Sequence, residues 1–305
     1  VSRTFPSETV KFSDWSKALR VHQWIKNILL FVPFLAAHQL LNIQSLTILA
    51  LSFISFSLCA SSVYIINDLL DLDSDRRHSR KRYRPFASAK LSIGLGIAIV
   101  PLLVGASFGL GILVNKEFLT VLILYFILAT AYSLILKKLL LVDCLTLAML
   151  FTARIIAGGT AVLVTPSFWL ITFSIFIFLS LAFVKRFTEL KIHTQGRNNT
   201  AHGRGYQVSD MPLIQTLGVS SGYLSVLVMS LYMNSKVVIN LYAQPQVIWF
   251  ALPILLFWIS WIWLKANRKE MDDDPIVFAI KDKVSLSAGL LIVLVFLYAS
   301  NFVGI

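Results

Sequence analysis

Residues 46–75 decide the fold: LTILALSFISFSLCASSVYII over 46–66, running without a break into NDLLDLDSD over 67–75. The first part carries no charge and is long enough to cross a bilayer as a helix, which takes about 20 apolar residues. Asn67, Asp68, Asp71, Asp73 and Asp75 follow at once, and then the basic run Arg76, Arg77, Arg80, Lys81, Arg82 and Arg84. Acids packed this closely repel one another unless a cation shares the site, and arginines this dense suit phosphate. The two runs together point to a metal–diphosphate site at a membrane surface.

Working outward, 57% of the chain is hydrophobic and 14% charged, against about a quarter charged in an ordinary soluble domain. The composition predicts an all-α polytopic membrane protein. Nine apolar runs fit transmembrane helices, near 25–45, 46–68, 91–114, 118–137, 139–163, 167–186, 212–234, 246–265 and 285–304. No repeat, low-complexity segment or soluble second domain stands out, so 1–305 reads as one transmembrane domain. Residues 1–20, polar and lacking the pattern of a cleavable signal, form a cytoplasmic N-terminal segment.

The 27 basic residues set the orientation. Five precede or open the first run, seven lie between the second and third, two follow the fourth, and five each lie between sixth and seventh and between eighth and ninth. Only Lys116 and Lys236 fall on the other side, and Arg154 lies within the fifth run. That asymmetry places the N-terminus in the cytoplasm and the C-terminus outside, in a plasma or bacterial inner membrane. The net charge of +12 and pI of about 9.8 follow from topology and attraction to anionic lipid heads. Nucleic acid is excluded as a partner by the apolar composition. Cys59 and Cys144 read as small packing residues. His22, His38, His78, His193 and His202 are scattered and give no zinc spacing.

If residues 64–76 continue the second helix, the step of about 100° per residue puts Asp71, Asp75 and Asp68 within about 100° of Asn67. Asp73 falls on the opposite face. Asn67, Asp68, Asp71 and Asp75 are therefore the candidate Mg²⁺ ligands, the three aspartates also the candidate catalytic residues. A solvated helix end is the plain alternative, but such a face at the end of a spanning helix is costly without a function. Arg154 lies about 22 Å along a helix counted from Leu139, with Asp143 at nearly the same angle. Either the two form a structural bridge or Arg154 meets a phosphate inside the membrane.

The N-D-x-x-D-x-x-x-D face after a second transmembrane helix, in a nine-helix chain, resembles the UbiA superfamily of intramembrane prenyltransferases over roughly residues 15–304. The resemblance implies a helical bundle with a cytoplasmic-facing central cavity, and Mg²⁺ and a diphosphate at the first acidic motif. Members carry a second acidic pair after helix six. Here Lys185, Arg186 and Glu189 stand in its place, and lysine for carboxylate removes a metal ligand and adds a phosphate contact. That departure is similar to the polyprenyl-phosphate phosphoribosyltransferase branch. So are residues 23–27 (QWIKN), 81–85 (KRYRP), 132–137 (YSLILK), 154–159 (RIIAGG), 203–206 (GRGY) and 273–279 (DDPIVFA). Residues 85–90 (PFASAK) depart from the branch, where a glycine-containing turn is more usual.

The branch implies a pentosyltransferase of cell wall biosynthesis that moves 5-phosphoribose from phosphoribosyl diphosphate to a polyprenyl phosphate and releases diphosphate. Lys26, Arg82, Arg84, Lys137, Arg154, Lys185, Arg186 and Arg204 are then candidate phosphate contacts, although topology alone explains many of these charges. Glu189 shares their motif, and Tyr132 and Tyr206 read either as phosphate or sugar ligands or as interfacial tyrosines. Asp272, Asp273 and Asp274 read as loop structure or secondary donor contacts. Membrane lipid is an expected partner, and self-association stays open. Two alternatives remain: prenyl transfer from a prenyl diphosphate to an aromatic acceptor, and transport of phosphorylated lipids. The D-G-x-x-A-R pattern of CDP-alcohol phosphotransferases is absent.

Overall fold

The computed structural model describes residues 11–36, 42–77, 81–193, 205–235, 238, 241–271 and 274–300. Every regular element among them is helical. Short 3₁₀ turns aside, these are in chain order α1 (Phe12–Ala18), a 3₁₀ helix Val21–Phe31, α2 (Val32–Ala36), α3 (Ile43–Leu70), α4 (Leu72–Arg77), α5 (Ile93–Val114) and α6 (Lys116–Leu134). There follow α7 (Val142–Ala161), α8 (Phe168–His193), α9 (Met211–Met233), α10 (Ala251–Asn267), α11 (Pro275–Lys281) and α12 (Lys283–Ala299).

Short polar residues set the boundaries. Asn42, Ser92, Asn115 and Asp282 each accept a backbone N–H of the first turn they open, which satisfies donors a helix start leaves orphaned. Asn115, with φ −174°, both ends α5 and caps α6, making a sharp reversal there. Asp274 caps α11 from just ahead of Pro275.

Among the described residues, seven helices are long and apolar enough to cross a membrane: α3, α5, α6, α7, α8, and α9 and α10 with the turns preceding them. Their surfaces suit hydrocarbon: Leu102, Ile112 and Leu113 of α5 are 70%, 66% and 72% exposed. The first and ninth apolar runs become the shorter apolar helices Val21–Ala36 and Lys283–Ala299. Continuations of both, 37–41 and 301–305, lie outside the described residues.

The chain forms two compact units. The first comprises 1–136 and 153–165, the second 137–152 and 166–305, so the division falls within α7. In the first, α3 packs against α5, α6 and the 3₁₀ helix, with a small core of Ala18, Ile65, Phe86 and Leu91 beneath the polar end of α3. In the second, α8 and α9 pair along their length. Trp263 of α10 donates its indole N–H to Ser180 of α8 at 3.1 Å.

Candidate functional site

The acidic motif sits where α3 gives way to α4. Asp71 ends α3 with φ −92° and ψ 9°, so the helix turns at the middle of the motif before α4 resumes it. Asp68 and Asp75 are each 2% exposed, Asn67 and Asp71 are half-buried, and Asp73 is exposed. The structure brings Asp68 and Asp75 together through one atom: Arg84 Nη1 lies 3.0 Å from Asp68 Oδ1 and 2.6 Å from Asp75 Oδ2. Burial pushes the Asp75 carboxyl above its usual range, against the opposing pull of the Arg84 guanidinium. Among the described residues, no three His, Cys, Asp or Glu side chains converge as a metal cluster; Asp71 N–H still bonds Asn67 O at 2.9 Å and Asp75 N–H bonds Asp71 O at 2.8 Å across the turn.

Arg84 is aimed by the turn that follows it. Ser88 N–H reaches back to Arg84 O at 2.9 Å and Leu91 N–H to Pro85 O at 3.1 Å, while Phe86 and Leu91 plug into the core below. Ala89 takes φ 59°, the left-handed conformation that glycine adopts at least cost. The turn that lacks glycine thus keeps a glycine-like backbone.

Arg20 completes the cluster, with its Nη2 2.5 Å from Asp68 Oδ1 and its guanidinium 4.9 Å over the Tyr64 ring. One face of α3 builds this arrangement. Ser61 Oγ donates to Leu19 O at 2.8 Å and accepts the Trp24 indole N–H at 3.0 Å. Ser61, Tyr64 and Asp68 stand at the three- and four-residue steps that share a helix face. Arg20 itself has φ 51°, a strained backbone for a residue with a side chain. In the sequence Arg20 is one of the five basic residues that precede or open the first apolar run. Its partner is 48 residues away, and no local spacing links them.

Deeper in the first unit, Arg154 is 4% exposed. Its Nε donates to Asn27 Oδ1 at 3.0 Å and its Nη2 to Tyr125 Oη at 2.9 Å. The guanidinium also lies 5.5 Å from the Phe56 ring centroid. Asn27 is held in turn by Ser57 Oγ at 2.9 Å. Gly158, one turn beyond Arg154, makes this possible: a Cβ there would stand 1.9 Å from Leu30 O. The backbones touch at Gly158 and Leu30, and the neighbouring turn carries Arg154 onto Asn27.

The second unit holds a separate network. Arg186 Nε is 2.5 Å from Asp143 Oδ2, and Arg186 Nη1 pairs with Glu189 Oε2. Tyr206 Oη donates to Asp143 Oδ1 at 2.5 Å and accepts Leu141 N–H at 2.8 Å. Asp143 therefore bridges to Arg186 and not to Arg154. Tyr206, weighed as a phosphate ligand, is 3% exposed and commits its hydroxyl to Asp143 and Leu141. Burial, with the neighbouring thiol and carboxylate, raises its phenol well above the ordinary range. Arg186 is 1% exposed, so it too serves inside the protein.

The remaining candidates differ in exposure. Lys26 is buried in the 3₁₀ helix, while Tyr132, Lys137 and Lys185 are half-buried. Arg82 is exposed and donates to Tyr83 Oη at 2.7 Å. Arg204, Asp272 and Asp273 lie outside the described residues, and Asp274 Oδ1 accepts Ile276 N–H at 3.1 Å as a helix cap.

Residues 28–286 match the model of the UbiA prenyltransferase family. The chain belongs to that family. It is an integral, multi-pass membrane protein, as the family and the apolar helices together require. The family fold is also seen in a UbiA homolog from Archaeoglobus fulgidus bound to GPP and Mg²⁺, with TM-score 0.70 and 14% identity over 96% of this chain and all of that one.

Among sequence relatives, protein y4nM of Sinorhizobium fredii is 36% identical over 96% of the chain, which spans only 57% of that protein's length. Nodulation protein NoeC of Azorhizobium caulinodans is 34% identical over 94% of both chains. Decaprenyl-phosphate phosphoribosyltransferase of Corynebacterium glutamicum is 32% identical over 58% of this chain and 54% of its own.

Proposed function

We propose that this UbiA-family protein is a Mg²⁺-dependent phosphoribosyltransferase, moving 5-phosphoribose from phosphoribosyl diphosphate to a polyprenyl phosphate. The reading is carried by the charge at residues 185–189. Where the family resemblance leads one to expect a second pair of metal-binding acids, this chain has Lys185 and Arg186, and its one acid, Glu189, is paired to Arg186. A single metal-holding motif suits a donor whose second end is a phosphosugar. Likeness to the Corynebacterium phosphoribosyltransferase supports the same choice.

The first motif fits a magnesium ion. Mg²⁺ uses one or two carboxylates together with substrate phosphate oxygens, and Asp68 and Asp75 already hold one cationic atom between them. Asn67 and Asp71 would add further oxygens from the same motif. When bound, the metal would act as a Lewis acid on the departing diphosphate. In the first unit Arg84, Arg82 and Lys26 take up phosphate charge, and Lys137, Lys185 and Arg204 are phosphate contacts of the same kind by sequence. The prenyl-phosphate oxygen is ionised near neutral pH, so attack at the anomeric carbon needs no strong base. Positioning and electrostatics carry the rate.

Residues 1–305 act in this reading as one UbiA-like domain with nine spans, the N-terminus cytoplasmic and the C-terminus outside, in a plasma or inner membrane. The 3₁₀ form of Val21–Phe31 supports a first span, because it rises about 2 Å per residue against 1.5 Å for an α-helix. Prenyl transfer from a prenyl diphosphate to an aromatic acceptor is the second reading, favoured by the family match itself. Membranes containing the protein, given labelled phosphoribosyl diphosphate, a polyprenyl phosphate and Mg²⁺, should yield labelled lipid. No labelled lipid at any prenyl length, with aromatic prenylation proceeding, would reject the phosphoribosyl reading.

A further inference from the structure

The buried pair of the acidic motif is charge-balanced before any substrate arrives. Asp68 and Asp75 are buried carboxylates, and Arg20 and Arg84 supply two positive charges against their two negative ones. Both guanidiniums remain partly open, with side chains 21% and 25% exposed, whereas the carboxylates are 3% exposed. The exposed partner of each pair is the one free to swing, because solvent can take up the cation but not the buried acid.

We infer that Arg20 is a substrate-positioning residue that occupies Asp68 as a stand-in cation and transfers to the diphosphate when metal and donor load together. Resting on the metal–diphosphate reading above, this makes loading an ion exchange. The metal takes Asp68 Oδ1, and the released Arg20 guanidinium meets the oxyanions that came with the metal, as a forked donor suited to phosphate. Metal alone would place positive charge beside two arginines that already neutralise the pair. Diphosphate alone would find Arg20 engaged. Each ligand therefore binds weakly by itself and strongly after the other, a reciprocal coupling.

The backbone supports assigning this role to Arg20 and not only to Arg84. Its left-handed φ of 51° is sustained by the docking of Leu19 and Trp24 on Ser61. A strained residue held in place by its neighbours next to a charged cluster is a common mark of a functional position. Tyr64 offers an aromatic face along which the guanidinium can pivot while keeping its 4.9 Å stacking contact.

Calorimetric titration of the purified full chain with Mg²⁺ alone, inorganic diphosphate alone, and each in the presence of the other tests the exchange. In the unmodified protein each probe should tighten the other by about tenfold or more. Arg20→Gln should raise affinity for Mg²⁺ alone by about fivefold, lower affinity for diphosphate by a similar factor, and abolish most of the coupling. Arg20→Gly, which suits the left-handed backbone, should behave alike and guards against a folding defect, checked by thermal unfolding. Loss of both affinities in parallel, or no change in either, would overturn the role of Arg20. Failure of the unmodified protein to bind either probe would overturn the metal–diphosphate reading and this inference with it. Both probes are common to any diphosphate donor, so a wrong sugar assignment leaves the result intact.

Discussion

Among the described residues, each unit holds a cluster of arginine and carboxylate, and the two clusters differ in where the cation sits. In the first, Arg20 and Arg84 approach Asp68 and Asp75 from the partly open side, with about a fifth to a quarter of each arginine side chain exposed. In the second, Arg186 and Asp143 are 1% and 0% exposed and Tyr206 closes over the pair. The same chemical groups make an exchangeable site in one place and a fixed brace in the other. Solvent access to the guanidinium separates them, since a cation that can rehydrate can leave and one that cannot is held by the cost of burying it alone.

The largest expected effect tests the brace. Asp143→Ala leaves the Arg186 charge buried beside one remaining acid, which should cost about 3–5 kcal/mol of stability. Asp68→Ala releases Arg20 to solvent and leaves Arg84 on Asp75, and its stability loss should stay near or below about 1 kcal/mol. Thermal unfolding of the two variants in one detergent measures the difference. Similar midpoints would erase the distinction between the clusters.

Turnover should reverse that order. Asp75→Ala and Asp71→Ala should each cost at least about 100-fold in lipid labelling, the scale of about 2.7 kcal/mol of lost transition-state stabilisation. Asp73→Ala, at an exposed position, should cost less than about threefold, equivalent to about 0.6 kcal/mol. Equal losses at the three positions would break the division of the motif into an inward pair and an outward acid.

Between these effects stands the close approach at Gly158. A methyl group there meets the Leu30 carbonyl at 1.9 Å, a contact with backbone that no rotamer change relieves. Gly158→Ala should therefore separate α7 from the 3₁₀ helix, cost about 1–3 kcal/mol and loosen the Arg154–Asn27 bond. Thermal unfolding checks the first effect. Ser57→Ala, which removes only the hydrogen bond supporting Asn27, should cost less.

How far these features could be read in advance follows from their range. The spanning helices were legible because bilayer thickness imposes a length and composition on each run, and so was the outward position of Asp73, set by the helical step alone. The turn at Asp71 was not, since nothing in NDLLDLDSD marks a break. Arg20 and Asp68, Asn27 and Arg154, and Asp143 and Tyr206 are each joined across many residues by packing. A sequence lists such charges without saying which will be neighbours. Arg186 illustrates the point: its place in the second motif suggested phosphate, while burial makes it the partner of Asp143.

A last variant isolates what Tyr206 adds to the brace. Its hydroxyl gives one hydrogen bond to a buried carboxylate and takes one from Leu141, so Tyr206→Phe should cost about 1.5–3 kcal/mol. The pH dependence of that loss shows whether the phenol stays buried and neutral in the fold. The phenol is raised above its ordinary value by burial and by its neighbours, so above pH of about 10 the unfolded chain loses this proton while the folded chain keeps it. Stability contributed by Tyr206 is then fully present below that pH and declines as pH rises through it. Thermal midpoints measured from pH 8 to 11 should fall more steeply for the unmodified protein than for Tyr206→Phe. Parallel slopes would mean that the phenol ionises freely in the fold, and the second cluster would then be as open to solvent as the first.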